Sequence, residues 1–395
     1  MGSIAAELAN WVIDLEPSAA DLELAERSLL DTIAVAVAAR NEPILRAVAG
    51  LPEEARWSIA GHVLDFDDLH MESTTHVSVV CVPAVLSVGG DARAYLAAAG
   101  VMARLGTALG WPHYSTGWHA TCTAGALAAA VGSGVALNLN AGQLATAMAL
   151  AVPGGGGVQR AFGTDAKSLQ VGFATAAGVR AARLAAAGVS ADVSAVDFWF
   201  KLLGGQATRV DLTGPAIPGG LAIKLFPCCY ALQRPISALV ELAKHGLDSA
   251  KVERIVLRTP RATVAPLIHH CPDTGLKAKF SLEYAAATAL LDSHQGFSSF
   301  TDEGVQRPEA RRLMDVVEVE LSDGGDWLLA GELEAEVYIG GQILGTRSQF
   351  PPGSPQRPPT KDELLRKVED CLVGASLDPD SISWESAADI LRRYF

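Results

Sequence analysis

The segment HVLDFDDLHMESTTH, residues 62–76, gathers the densest set of chemistry-bearing side chains in this sequence. It holds Asp65, Asp67 and Asp68, the imidazoles of His62, His70 and His76, and Glu72. Clustered carboxylates and imidazoles can exchange protons with a substrate or hold a hard cation. The same composition fits a solvated loop with a helix cap, and the spacing matches no zinc signature.

Four further positions could join it. His119 in GWHATCTAG stands just before an apolar run. A helix dipole there would lower its pKa and leave a neutral base; capping or packing is the alternative. Lys167 in GTDAKSLQVG opens another apolar helix, where it could meet a carboxylate or lie on the surface. Lys224 falls in the apolar run LAIKLFPCC, expected as a strand. A buried ammonium needs an anionic partner or shifts its pKa. Cys228 and Cys229 beside it carry no nucleophile signature, so packing is expected of them. Tyr284 in KFSLEYAAA is expected at a helix start, where its phenol could donate a proton or simply fill the core. The glycine run 154–157 is not a phosphate loop, because no GxxxxGK[ST] spacing occurs. Acid, imidazoles, two lysines and a phenol together suit proton transfer next to a carboxylate, in a di- or tricarboxylic acid.

The elements that must position these groups follow from length and pattern. At 395 residues the chain exceeds one ordinary core, so two domains are expected. Apolar residues recur at helical spacing in 21–39, 92–109, 123–137, 140–152 and 168–188. The Gly/Pro-rich TGPAIPGG at 213–220 ends that pattern. Short strand-like runs follow at 221–229, 252–260 and 316–321, with a hairpin at 333–346 turning on Gly340-Gly341. Helices 233–245 and 280–292 interleave with them. Thr360 and Glu363 form a capping-box pair before a return to helix. The expected fold is mainly α: a large discontinuous all-helical domain, 1–219 plus 348–395, with a smaller α+β lid domain, 220–347, inserted.

Composition narrows the partners. The net charge is -13 and no Lys/Arg-rich stripe occurs, which argues against nucleic acid. The apolar stretch 123–152 is interrupted by Gly, Asn and Gln, and reads as two buried helices, not a membrane span. The N-terminal stretch has no basic region and carries Asp14 and Glu16, so a cytoplasmic location is expected. Six cysteines without a CxxC pair suggest reduced thiols and neither a disulfide framework nor a zinc site.

Five ordered blocks resemble the signature blocks of the MmgE/PrpD family: HxLDFDDxH with His76 downstream, GWHATxxxG, GTxxK, KLFPCC and KFSLEYAAA. The tail PPGSPQRPPTKDELLRKVE resembles that family's C-terminal block. The resemblance implies a helical domain with an α+β lid, a homodimer, and action on a small carboxylate substrate without cofactor or metal. It implies site residues at Asp65, His76, His119, Lys167, Lys224 and Tyr284. The implied roles are lysines on substrate carboxylates, His76 or His119 as base, the other imidazole or Tyr284 as acid, and Asp65 orienting a histidine. The implied reaction is dehydration of the 2-methylcitrate type. Cis-aconitate-type decarboxylation, iminodisuccinate-type epimerisation or non-catalytic carboxylate binding are the alternatives. Gln170 and Gln233 stand where members of the family commonly carry His, which leaves the substrate open.

Overall fold

The computed structural model describes residues 2–244, 246–292, 295–325 and 330–395. It is mainly α, 57% helical, with one small mixed sheet in its C-terminal part. The chain separates into two units: residues 1–161 with 165–222 and 365–395, and residues 162–164 with 223–364.

In the helical unit, the expected segments appear as helices Ala19–Ala38, Ala92–Ser115, Ala120–Ala136, Ala141–Ala151 and Ala166–Ala186. Ser18 with Asp21, and Asn140 with Gln143, start two of them as reciprocal capping boxes. Ala92–Ser115 breaks at Gly110, whose φ of 67° no helix contains. Helices Ala120–Ala136 and Ala166–Ala186 pack through small side chains. At Gly178 a Cβ would come within 2.4 Å of the Ala126 carbonyl oxygen, so only glycine allows that approach.

Helices Glu53–Val63 and Ser78–Leu86 flank segment 62–76 and were not expected from the sequence. Every residue of Ser78–Leu86, and most of Glu53–Val63, is buried. A helix covered on all sides has no polar face, so it carries no amphipathic stripe to read. Among the described residues, no helix is long and apolar enough to cross a membrane.

The second unit holds a four-stranded sheet ordered β2-β1-β3-β4, with β1 Val252–Pro260, β2 Val317–Ser322, β3 Leu333–Ile339 and β4 Gln342–Ser348. β1 pairs parallel with β2 and antiparallel with β3, and β3 and β4 form the expected hairpin. Gly340 and Gly341, at φ 55° and 75°, make its two-residue turn. Helices Tyr230–Ala243 and Leu282–Leu291 cover part of the sheet side; residue 245 of the expected helix lies outside the described residues. Segment 221–229 is not a strand. Its backbone is tied by side chains instead: the Gln233 Oε1 accepts from the N–H groups of Leu225 and Phe226 at 3.1 and 3.0 Å, and its Nε2 donates to the Phe226 carbonyl at 2.8 Å. The Pro-rich stretch after β4 stays with this unit, as the Ile223 N–H donates to the Gly353 carbonyl at 2.9 Å. The Thr360–Glu363 capping box forms as expected.

Candidate active site

Segment 62–76 is a buried loop, not a solvated one, and most of its polar groups hold it in place. Asp65 and Thr74 adopt positive φ, 55° and 53°, a conformation that asparagine and aspartate tolerate better than most residues and that recurs at functional loops. Leu69 exchanges both backbone hydrogen bonds with Ala222. His70 is spent structurally: its Nε2 donates to the Pro218 carbonyl at 2.6 Å and its Nδ1 meets the Ser73 hydroxyl at 2.8 Å. Asp68 accepts from the backbone N–H and hydroxyl of Ser78, capping the following helix. Burial pushes its carboxyl up to about 7. From behind, the Lys367 ammonium donates to the Phe66 carbonyl at 2.8 Å and pairs with Asp31 at 2.6 Å. The C-terminal segment thus fastens the loop carrying the cluster.

The reactive cluster lies within the helical unit. Asp67 Oδ2 receives His62 Nδ1 at 2.7 Å and faces His76 Nδ1 at 3.0 Å. A carboxylate between two imidazoles draws a proton to each Nδ1, leaving each Nε2 with its lone pair outward. Burial works to raise the Asp67 pKa, but the two imidazoles outweigh it and hold the carboxyl well below its ordinary range. The His62 side chain is fully buried, and burial, opposed by Asp67, lowers its pKa. The His76 side chain is 12% exposed, the more accessible of the two. The His76 backbone N–H is fixed by the Thr121 hydroxyl at 3.0 Å, tying it to the helix that begins beside His119.

His119 stacks 5.8 Å from His62 and stands 6.5 Å from His76, measured between ring centroids. Burial first, then the neighbouring His62, Lys167 and His76, drive its pKa well below the ordinary imidazole value. It is therefore neutral, as the sequence suggested, though burial outranks any helix dipole. Gln170, four-fifths of a turn beyond Lys167 on the same helix, reaches His119 Nδ1 at 2.6 Å. Lys167 pairs with Asp65 Oδ1 at 2.6 Å, both buried. This revises the role expected of Asp65: it neutralises a lysine, and the carboxylate that orients histidines is Asp67. The family resemblance points to Asp65 and His76 and assigns no role to Asp67 or His62. The five-residue spacing from His62 to Asp67 was visible, but not the turn that folds one onto the other.

Lys224 and Tyr284 belong to the second unit. Lys224 is fully buried beside the loop that Gln233 ties down, with no strand around it. Tyr284 is also fully buried, on helix Leu282–Leu291, and its hydroxyl donates to the Ser299 carbonyl. Burial pushes the phenol up to about 12. Its proton is committed to the backbone of its own unit, which argues against Tyr284 as an acid. Gln233 likewise serves the backbone, whereas Gln170 touches an imidazole.

His62, Asp67 and His76 place three potential metal ligands within 4.8 Å of one another. The Nδ1 atoms of His62 and His76 already face Asp67 Oδ2, so a cation bound through them would have to displace their protons. The cluster fits a hydrogen-bonded dyad of imidazoles on one carboxylate more directly than a metal cage.

Two family descriptions match the sequence: MmgE/PrpD N-terminal domain over residues 51–197 and MmgE/PrpD C-terminal domain over residues 226–380. The chain is similar to cis-aconitate decarboxylase of Mus musculus, 27% identical over 220 residues, 51% of this chain and 44% of that one. It is similar to the same enzyme of Homo sapiens, 27% identical over 217 residues, covering 51% and 45%. The matched stretch spans less than half of each of these relatives.

Proposed function

This chain belongs to the MmgE/PrpD family, and from that premise we propose that it is a lyase acting on a di- or tricarboxylic acid by removing a proton next to a carboxylate. The observation that carries the reading is the Asp67–His76 contact at 3.0 Å, with the opposite nitrogen of His76 left basic. His76 Nε2 takes the α-proton. The imidazolium so formed lies against the ionised Asp67, as the imidazolium of a hydrolase triad lies against its aspartate. Lys167, paired with Asp65, is proposed on the family resemblance to receive a substrate carboxylate. Neutralising that carboxylate stabilises the charge that develops as the C–H bond breaks. Lys224 is proposed as a second carboxylate ligand on the family resemblance alone. Loss of a β-hydroxyl from the carbanion gives a dehydration of the 2-methylcitrate type.

Decarboxylation is the second reading, favoured by the two similar proteins, both cis-aconitate decarboxylases. There CO₂ leaves in place of the proton, and the carbanion is protonated by His76, which enters the cycle as the imidazolium, its extra proton taken from solvent beforehand.

NMR in D₂O with citrate, 2-methylcitrate, cis-aconitate and iminodisuccinate tests the proposal. Solvent deuterium entering the α-position of substrate or product, lost in His76→Ala, supports it. Carbon dioxide release with deuterium only at the vacated carbon selects the second reading. Saturable binding of these acids without exchange or turnover at any pH overturns both.

A further inference from the structure

We infer that Gln170 is a positioning residue that fixes His119 as the neutral tautomer protonated on Nε2, making it a hydrogen-bond donor to the reacting centre and not a base. The inference rests on the proposed carbon-acid chemistry for its purpose, but not for its geometry.

The geometry is an accounting of donors and acceptors around one amide. Gln170 Oε1 accepts the Val158 N–H at 2.9 Å. Gln170 Nε2 donates to the Val158 carbonyl at 3.2 Å and reaches His119 Nδ1 at 2.6 Å. All three contacts are satisfied in one orientation only. Turning the amide over would set its oxygen against the Val158 carbonyl and its nitrogen against the Val158 N–H, two repulsive contacts in place of two bonds. The oriented amide therefore presents N–H to His119, and Nδ1 must accept. A neutral imidazole accepting on Nδ1 carries its proton on Nε2. The other neighbour of Nδ1, the Cys122 sulfur at 3.3 Å, does not oppose this. Burial raises the Cys122 thiol, so it stays protonated and can donate as well.

The glycine run 154–157 has a place in this device. Gly157 sits at φ 131°, where an added Cβ would lie 2.8 Å from the Cys122 Cβ and 3.1 Å from Gln170 Oε1. Its carbonyl accepts the His119 backbone N–H at 3.0 Å, and the next residue supplies both backbone groups that orient Gln170. Glycine at 157 lets the strand of backbone that aims the amide lie against the imidazole it serves.

The chemical consequence separates His119 from His76. Asp67 leaves His76 basic at Nε2, whereas Gln170 leaves His119 a donor at Nε2. His62, Lys167 and His76 act on His119 in one direction and Asp67 in the other. A neutral imidazole held beside the Lys167 ammonium suits hydrogen bonding to an oxygen that gains negative charge, as neutral histidine does in some proton-transfer enzymes.

Nitrogen NMR of the full-length protein labelled with ¹⁵N-histidine tests this directly, with His119→Gln identifying the signal. The expected spectrum shows His119 protonated at Nε2 and bare at Nδ1 near neutral pH. In Gln170→Glu the carboxylate should draw the proton to Nδ1, and in Gln170→Leu the two tautomers should mix. Gln170→Glu should also lower kcat by about 10²-fold, the loss of one oriented donor, with KM little changed. A wild-type signal protonated at Nδ1, or a tautomer unmoved by Gln170→Glu, overturns the inference. A reversed tautomer with wild-type kcat overturns its catalytic half. The spectrum needs no turnover, so it stands or falls separately from the proposed reaction, which His76→Ala tests.

Discussion

Asp65 and Lys167 stand 102 positions apart in the chain, yet their side chains meet at 2.6 Å inside the helical unit, both almost wholly enclosed. The pair joins the positive-φ turn of the buried loop 64–76 to the first turn of helix Ala166–Ala186. Removing one member leaves the other as a buried charge, which in general destabilises by about 3–5 kcal/mol. Lys167→Met should therefore lower the melting temperature sharply. The double variant Asp65→Asn with Lys167→Met should recover much of that loss while remaining inactive. Calorimetry checks the first part and the D₂O exchange assay the second. Recovery of turnover in the double variant would remove Lys167 from substrate binding.

Asp67→Asn should leave the fold intact and depress kcat by about 10²–10⁴-fold. Both imidazoles meet the one Oδ2 of Asp67, so an amide oxygen there can still accept from both, but the negative charge that supports an imidazolium at His76 is gone. An unchanged circular dichroism spectrum with lost exchange is the expected pair of results. Wild-type kcat would mean that Asp67 orients nothing that matters.

Stability should fall as pH drops below the ordinary histidine pKa. His62, His70 and His119 are buried with lowered pKa values, each with burial as the leading cause. Below about 6.5 the unfolded chain binds protons that the folded state refuses, so protonation favours unfolding. Each such histidine contributes at most about 1.4 kcal/mol per pH unit until its folded pKa is reached. Asp68, pushed up to about 7 by burial, takes up a proton in the folded state over the same range and offsets one histidine. Asp67, with a depressed pKa, adds to the loss only from the ordinary carboxylate range downward. Melting temperature measured from neutral to mildly acidic pH should show the slope, and His119→Gln should flatten it.

The two glutamines should behave differently. Gln233→Leu strips partners from the N–H groups of Leu225 and Phe226. Each unsatisfied buried donor costs about 1–3 kcal/mol, so the expected phenotype is lost stability. Equal effects of Gln233→Leu and Gln170→Leu on the His119 nitrogen signals would contradict this division of labour.

The helices of the first half were legible because most of them show an apolar stripe, a cap or both, and these are local properties of the chain. The hairpin 333–346 was legible from its two glycines for the same reason. Helices Glu53–Val63 and Ser78–Leu86 were not, since burial on every side erases the stripe. Segment 221–229 looked like a strand because it is apolar. What holds it is the Gln233 amide together with backbone bonds to Leu69, Gly353 and Lys279, partners distant in the chain, and no periodicity records that.

The amino-acid sequence by itself determined the family, the mainly helical fold with its α+β part, and the cluster of groups able to move protons. Only the tertiary structure decided which carboxylate serves which base. It put Asp67, not Asp65, between two imidazoles, gave Asp65 to Lys167, spent Tyr284 on a backbone carbonyl and aimed Gln170 at His119. The reason is physical. Residue type fixes what a side chain can donate or accept, whereas tautomer and charge follow from which partners lie within hydrogen-bond reach, and those partners come from distant parts of the chain.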